Sequence, residues 1–244
     1  MAGSSAREEI LRRIRRALTV ESNPVPTSIG LNLSSGLARR LAIEVEQDCQ
    51  RNRAALIEQF ESELTKVGGS FRRAVDAQSA LEYIAEVAAA RRATTIIGWS
   101  DRLLNGIDLR ERLEKKDLEF VTEVTDPEFV TNAAAAGIGV SGIDYALADT
   151  GTLVLLTGRG RARSISLLPA VHIALIRPEQ IISGLDDLFS LLREERGLAS
   201  GALSSAITFI TGPSRTADIE LTLVVGVHGP QELHAVLLSE AMIA

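Results

Sequence analysis

Sulfur and imidazole are scarce in this chain of 244 residues, which has one cysteine, Cys49, and three histidines, His172, His228 and His234. A single thiol has no partner for a disulfide. An iron–sulfur cluster takes about four thiolates, and a structural zinc site about four Cys or His ligands. The chain cannot build the first alone and shows no clustered spacing for the second. Aromatic residues make up only 4%, too few for the stacking platforms that hold nucleic-acid single strands. A formal charge of −6 argues against a general nucleic-acid coat. No apolar run reaches about 18 residues, so no helix is expected to span a bilayer. What is present, 45% hydrophobic and 24% charged residues, is the balance of a soluble globular chain with a sizeable core.

The segment Arg7–Leu18 carries arginines inside its apolar pattern, which a secretory signal does not tolerate. Ile10, Ile14, Ala17 and Leu18 share one helical face, Ser4 or Ser5 is placed to cap it, and Glu8 and Glu9 fall in the first turns. A basic amphipathic helix can bind a membrane surface or a partner groove, but with a negative overall charge a helix packing on its own protein or on a neighbouring subunit is expected, in the cytoplasm. Residues 20–36, rich in Ser, Pro and Gly, read as a flexible linker. The expected organisation is therefore a helix and linker over 1–36 and one domain over 37–244.

Leu41, Val45, Leu56, Phe60 and Leu64 predict a helical stretch from Leu37 to Lys66, ended by Gly68-Gly69. From residue 70 short apolar runs alternate with helical patterns. Strands are expected at Phe71–Val75, Thr94–Ile97 and Glu119–Val124. Helices are expected at Ala77–Arg92, at Arg102–Lys116 with a break at Asn105-Gly106, and at Pro127–Ala136. Gly98-Trp99-Ser100-Asp101 is the exit loop of the second strand. After Gly137–Gly142 come two apolar runs, Tyr145–Ala148 and Thr152–Thr157, joined tightly by Asp149-Thr150-Gly151. Further strands are expected at Val171–Ile176, Thr208–Thr211 and Ala235–Leu238, and a helix at Glu179–Arg193. Ile219–Val227 suits either a strand or a helix. Such alternation predicts an α/β fold with a mostly parallel sheet covered by helices.

No phosphate loop of the Gly-x-x-x-x-Gly-Lys type, no Gly-x-Gly-x-x-Gly turn, no His-Glu-x-x-His and no Gly-x-Ser-x-Gly elbow occurs. Three other features can carry chemistry. Asp149, in Asp149-Thr150-Gly151, is a carboxylate at a strand end. An aspartic protease would need two such loops in an all-β frame, so the tripeptide reads first as a turn. Thr211-Gly212-Pro213-Ser214-Arg215-Thr216-Ala217-Asp218-Ile219-Glu220 follows a strand and offers hydroxyl, guanidinium and backbone donors together. That loop suits a carboxylate or phosphate, or is a turn whose polar groups satisfy one another. His228, between Gly226 and Pro230, is expected to be exposed, whereas His172 reads as a core histidine. Arg159, Arg161 and Arg163 add a local source of positive charge that suits an anion.

The segments Asp144–Leu153, Arg163 with Ser166–Pro169, Val171–Ala174, Phe209–Glu220 and Gly226–Pro230 resemble the lactate-utilisation protein C family, whose module is the LUD domain. The N-terminal Arg-Glu-Glu-Ile-Leu-Arg-Arg-Ile-Arg and the Ile97-Gly98-Trp99-Ser100 exit are similar too, while Ala170 stands where the family often has a second proline. The resemblance implies a fold of the sugar-isomerase and CoA-transferase-like group with an N-terminal helical extension. It also implies a non-iron–sulfur role in a cytoplasmic system oxidising L-lactate to pyruvate, with the clusters on iron–sulfur lactate-utilisation partner proteins and the chain's own cofactor unspecified. On that reading Arg163, Thr211, Gly212, Ser214, Arg215, Thr216 and Asp218 would hold a small carboxylate or phosphate, and Asp149 or His228 would be the base. Two alternatives stand beside it: a stand-alone enzyme on a phosphorylated or acyl substrate, and an anion-binding regulatory module without turnover.

Overall fold

The computed structural model describes residues 35–122, 128–196, 204, 206–217, 223–226 and 228–239. The amphipathic helix, nearly all of the linker and Asp218 lie outside the described residues. The helical stretch after the linker is two helices, α1 (Ser35–Arg51) and α2 (Arg53–Lys66), rather than one. Asn52 separates them with φ −102° and ψ 12°. Arg53 then turns its guanidinium to the carbonyls of Pro178 and Ile181, at 2.7 and 2.9 Å, tying the start of α2 to a distant loop.

Six strands form one parallel sheet: β1 (Ser70–Ala74), β2 (Thr95–Gly98), β3 (Glu119–Thr122), β4 (Ile138–Gly142), β7 (Val171–Ile176) and β12 (Glu232–Leu238), in the order β1-β12-β7-β4-β2-β3. Every residue of β4 and β7 is buried, as expected of parallel strands covered on both faces. Around the sheet run α3 (Ala77–Arg91), α4 (Arg102–Gly106), α5 (Leu109–Glu114) and α6 (Phe129–Ala135). Of these, α3 packs on β1 and β12, α4 on β4 and α5 on β3. The start of α3 is set by a reciprocal box in which Ser79 N donates to Asp76 Oδ1 at 2.7 Å and Asp76 N donates to Ser79 Oγ at 3.1 Å. Hydrogen bonding from Ser79, its backbone N–H first and its side chain second, holds the Asp76 carboxyl below its ordinary pKa.

A second, four-stranded sheet is mixed and runs β8-β5-β6-β9, from β5 (Tyr145–Leu147), β6 (Thr152–Leu156), β8 (Ile181–Ile182) and β9 (Ile207–Ile210). Asp149-Thr150-Gly151 is the turn of the antiparallel β5–β6 hairpin. β10 (Arg215–Ala217) and β11 (Leu223–Val225) make an antiparallel ribbon, so residues 223–225 of the ambiguous stretch are strand, while 219–222 and 227 lie outside the described residues. The helix expected from Glu179 begins later, as α7 (Leu185–Arg196). Gln180 is anchored to the Ile143 carbonyl, and buried Ile181 and Ile182 pair with Ala146 and Leu147 of β5. That pairing holds the start of the stretch extended. In α7, Asp186 and Asp187 occupy the first turn, where the helix dipole favours acids. No helix among the described residues is long and apolar enough to cross a membrane.

Candidate functional site

The order of the parallel strands defines where a ligand can bind. The chain steps from β2 outward to β3, returns past β2 to β4, then continues the other way to β7 and β12. Connections leaving the carboxyl ends of β2 and β4 therefore diverge. In open α/β sheets that divergence opens a crevice which is the usual ligand site. Here it is a cavity of about 810 Å³ lined by Ser100 and Asp101 after β2, and by Gly142 and Ile143 at the end of β4.

Arg161 is its central group. The Gly158–Arg161 turn, with Gly160 at φ +74°, is docked on the β2 exit because Ser100 N donates to the Gly160 carbonyl at 3.0 Å. Arg161 Nη1 donates to Asp144 Oδ1 at 2.8 Å, and its Nη2 lies 3.7 Å from Asp101 Oδ2. Its guanidinium stacks 4.6 Å from the ring centroid of buried Trp99. The carboxylates are fixed in turn: Leu156 N donates to Asp144 Oδ2 at 2.7 Å, and Leu104 N to Asp101 Oδ1 at 3.0 Å. Gly142 is required there, since a Cβ would sit 2.9 Å from Asp101 Oδ2. A second cavity of about 620 Å³ shares Ile143, Arg161, Arg177 and Gln180 with the first. The two are lobes of one crevice, with Arg161 and Arg177 between them.

Arg159 and Arg161, noted in the sequence for their charge, line the crevice, but the residues given a binding or catalytic role by the resemblance lie elsewhere, and of those described none lines either lobe. Two of them, Gly212 and Arg215, meet the carboxyl end of α2, and Thr211 and Ser214 flank them. Arg215 Nη2 donates to the Val67 carbonyl at 2.9 Å, a basic group on the helix end that favours one. Gly212, at φ +82°, lies where a Cβ would meet the Val67 carbonyl at 2.6 Å. The hydroxyls of Thr211 and Thr152 share a hydrogen bond of 2.7 Å, and Ser214 N donates to the Pro230 carbonyl at 2.9 Å. The Asp149–Gly151 turn reaches the same helix end through Gly151, whose φ is +63° and whose Cβ position is 2.3 Å from Leu64 N. Asp149 itself is exposed beside Gly184, and its N donates to the Ser183 carbonyl at 3.1 Å. Thr216 pairs with Val224 in the β10–β11 ribbon. Arg163 is exposed on the 3-10 turn Arg163–Ser166, and His228 is exposed in the loop before β12.

The other titratable candidates belong to the interior. His172 is fully buried, bonded through Nε2 to Ser141 Oγ at 2.9 Å, and burial pushes its pKa down to about 3. His234 Nδ1 meets Tyr83 Oη at 2.8 Å, and burial, then Arg91, lowers its pKa. The Cys49 thiol is buried, and burial, then Asp187, raises its pKa, which disfavours the reactive thiolate. Among the described residues no group of three or more His, Cys, Asp and Glu is placed to hold a metal ion. An iron–sulfur cluster does not fit this chain's single, buried thiol.

Sequence reasoning named the Trp99–Asp101 exit and the arginines of the Gly158–Arg163 loop but did not join them. It missed Asp101, Asp144, Arg177 and Gln180 as site residues. A usable signal was present in the polar exits following two apolar strands.

Comparison with known proteins gives the site its family. Lactate utilization protein C of Halalkalibacterium halodurans is 38% identical over 63% of this chain and 65% of its own length. Those of Shouchella clausii and Anoxybacillus flavithermus are 36% and 31% identical, over 57% and 76% of this chain and 59% and 81% of their own lengths. The chain thus spans less than two thirds of the first two. A solved structure of a DUF162 family protein from Deinococcus radiodurans shares the fold at TM-score 0.55 and 19% identity, covering 77% of this chain and 98% of that one. The LUD domain model matches residues 57–238, a span that contains the carboxyl end of α2, the parallel and mixed sheets and every residue lining the larger lobe of the crevice, and the chain belongs to the LUD domain family.

Proposed function

We propose that this chain is the non-iron–sulfur subunit of a cytoplasmic system that oxidises L-lactate to pyruvate, and that it holds a small anion, carboxylate or phosphate, in the crevice between β2 and β4. The observation that carries the anion site is the set of arginines at the switch point: four of them, Arg102, Arg159, Arg161 and Arg177, face the single carboxylate Asp101 in the larger lobe. Similarity to proteins named Lactate utilization protein C supports the system.

Oxidising L-lactate to pyruvate removes two electrons and two protons. This chain's single cysteine leaves the electrons to iron–sulfur clusters on partner proteins. Its own residues can bind and orient. Arg161, planar and clamped between Trp99 and two carboxylates, presents a fixed positive edge to both lobes. The arginines around it match a carboxylate or phosphate bidentately.

The test is to isolate the tagged full chain from lactate-grown cells. Iron–sulfur proteins are expected with it, together with lactate-dependent bleaching of their visible absorption. A chain recovered alone, in cells whose growth on lactate survives its deletion, overturns the reading.

A further inference from the structure

We propose that the crevice takes an organic phosphate monoester, its phosphate between Arg102 and Arg159 and its organic body in the second lobe. The proposal rests on the reading of the β2–β4 crevice as the ligand site and specifies its ligand class.

Size is the first observation. Lactate displaces only a few waters, on the order of 100 Å³ at about 30 Å³ each. The lobes measure about 810 and 620 Å³ and meet at Arg161 and Arg177. Cavities of several hundred Å³ are the scale of cofactor-sized ligands. A hydroxy acid alone would leave most of the crevice to water.

Charge is the second. Arg161 is already neutralised by Asp144 and Asp101, and Arg177 lies 3.3 Å from Glu179. Arg102 and Arg159 face the larger lobe from different segments, the β2 exit and the Gly158–Arg161 turn, and neither has a carboxylate partner among the described residues. Two guanidiniums with no carboxylate partner among the described residues, lining one lobe from two segments, match a dianion better than a monoanion, and a phosphate monoester is close to a dianion at neutral pH.

The second lobe differs in kind. Its arginines and acids are nearly balanced, and Val45, Tyr145, Ile182 and Leu191 supply apolar wall. That surface suits an uncharged organic group joined to the phosphate. Spanning both lobes brings the ligand across the Arg161 ridge, where it can accept hydrogen bonds without displacing either aspartate.

The experiment is calorimetric titration of the full chain with AMP, glucose 6-phosphate, inorganic phosphate, L-lactate and pyruvate. At least one monoester is expected to bind tenfold or more tightly than inorganic phosphate and L-lactate. Arg102→Ala and Arg159→Ala are each expected to weaken it at least fivefold, while Arg73→Ala, a surface change of equal charge, leaves it unaltered. Both crevice arginines are exposed, so unchanged melting temperatures verify folding. Monoesters no tighter than lactate, or undiminished in both crevice variants, overturn the proposal. If L-lactate binds and is lost in Arg161→Ala while the monoesters do not bind, the crevice reading stands and the phosphate inference fails. If no probe binds, both fail.

Discussion

Two regions of this molecule present arginine a few residues beyond the end of a strand, and the arginines meet different fates. At the carboxyl end of α2, Arg215 follows β9 and gives its guanidinium to the Val67 carbonyl. At the β2–β4 crevice, Arg159 and Arg102 follow β6 and β2 and face an open cavity. Residue type does not separate the two cases. Topology does: β9 is an edge strand of the mixed sheet, and its exit folds down on a helix end that already offers carbonyl acceptors. β2 and β4 diverge at the switch point of the parallel sheet, where backbone leaves the space empty. One arginine holds the fold together, and the others are available for a ligand.

The largest blow to either region comes through glycine. A Cβ at Gly139 on β4 would lie 2.0 Å from the Ile165 carbonyl oxygen, and one at Gly151 would lie 2.3 Å from Leu64 N at a φ of +63°. Both obstacles are backbone, so the elements must move apart. Gly139→Ala and Gly151→Ala are each expected to cost about 4 kcal/mol or to prevent folding, read from urea unfolding. A loss under about 1 kcal/mol at Gly151 would mean that the turn does not seat on α2, and would remove the structural half of the comparison.

Those same glycines explain what the sequence could and could not reveal. Apolar runs such as Val171–Ile176 announce themselves, as do the Asp149–Gly151 turn and the break at Asn105-Gly106. The central strand β4 reads Ile-Gly-Val-Ser-Gly, and glycine is depleted in strands, so it passes for a lead-in. The reasons for its glycines, the Ile165 carbonyl and the Asp101 carboxylate, lie far away in sequence. Without β4 the strand order cannot be written, and without the order Asp101, Asp144 and Arg161 have no common place. Conversely, Thr211–Arg215 looks like an anion cradle because its acceptor, the Val67 carbonyl, is also remote in sequence. Local chemistry was legible, whereas the pairing of distant segments was not.

Acid tests the sheet beneath the crevice. His172 on β7 is bonded to Ser141 on β4 and is held at a pKa of about 3, against 6.5 when unfolded. A histidine kept neutral in the fold but protonated when unfolded leaves stability intact above the unfolded value. Below it, stability falls by about 1.4 kcal/mol per pH unit until the folded pKa is reached. Between pH 6.5 and 4.5 the loss from this residue is about 2 kcal/mol. Urea midpoints measured across that range should fall steeply in the parent and less in His172→Gln. Equal slopes would show that the acid sensitivity lies elsewhere.

Arg161 ties the two sides of the crevice together, so its loss should be felt in both stability and binding. Its side chain is 26% exposed, against 15% for Asp144 and 11% for Asp101. Arg161→Ala leaves two carboxylates facing each other without their cation, with a cost of about 2 kcal/mol, less than for a fully buried pair. Asp144→Asn should cost less, because Leu156 N keeps an oxygen acceptor. A double-mutant cycle over Arg161 and Asp144 gives the coupling directly. Coupling near zero would make Arg161 a solvated loop charge and weaken the crevice as a built site.

The smallest effect is the most discriminating. Arg215→Ala removes one hydrogen bond and a favourable charge at the end of α2, in an exposed setting, for which about 0.5–1 kcal/mol is expected. Anion affinity in the crevice should not change. Arg159→Ala should do the reverse, leaving the unfolding midpoint in place and weakening the anion. Running the two variants side by side asks whether two similar arginines perform different tasks. If Arg215→Ala abolishes anion binding while stability holds, the ligand sits at the Thr211–Thr216 loop as its residue types first suggested, and the helix-end contact is released when it binds. If the effects separate as expected, position relative to the carboxyl ends of the parallel strands determines which arginine is free to act.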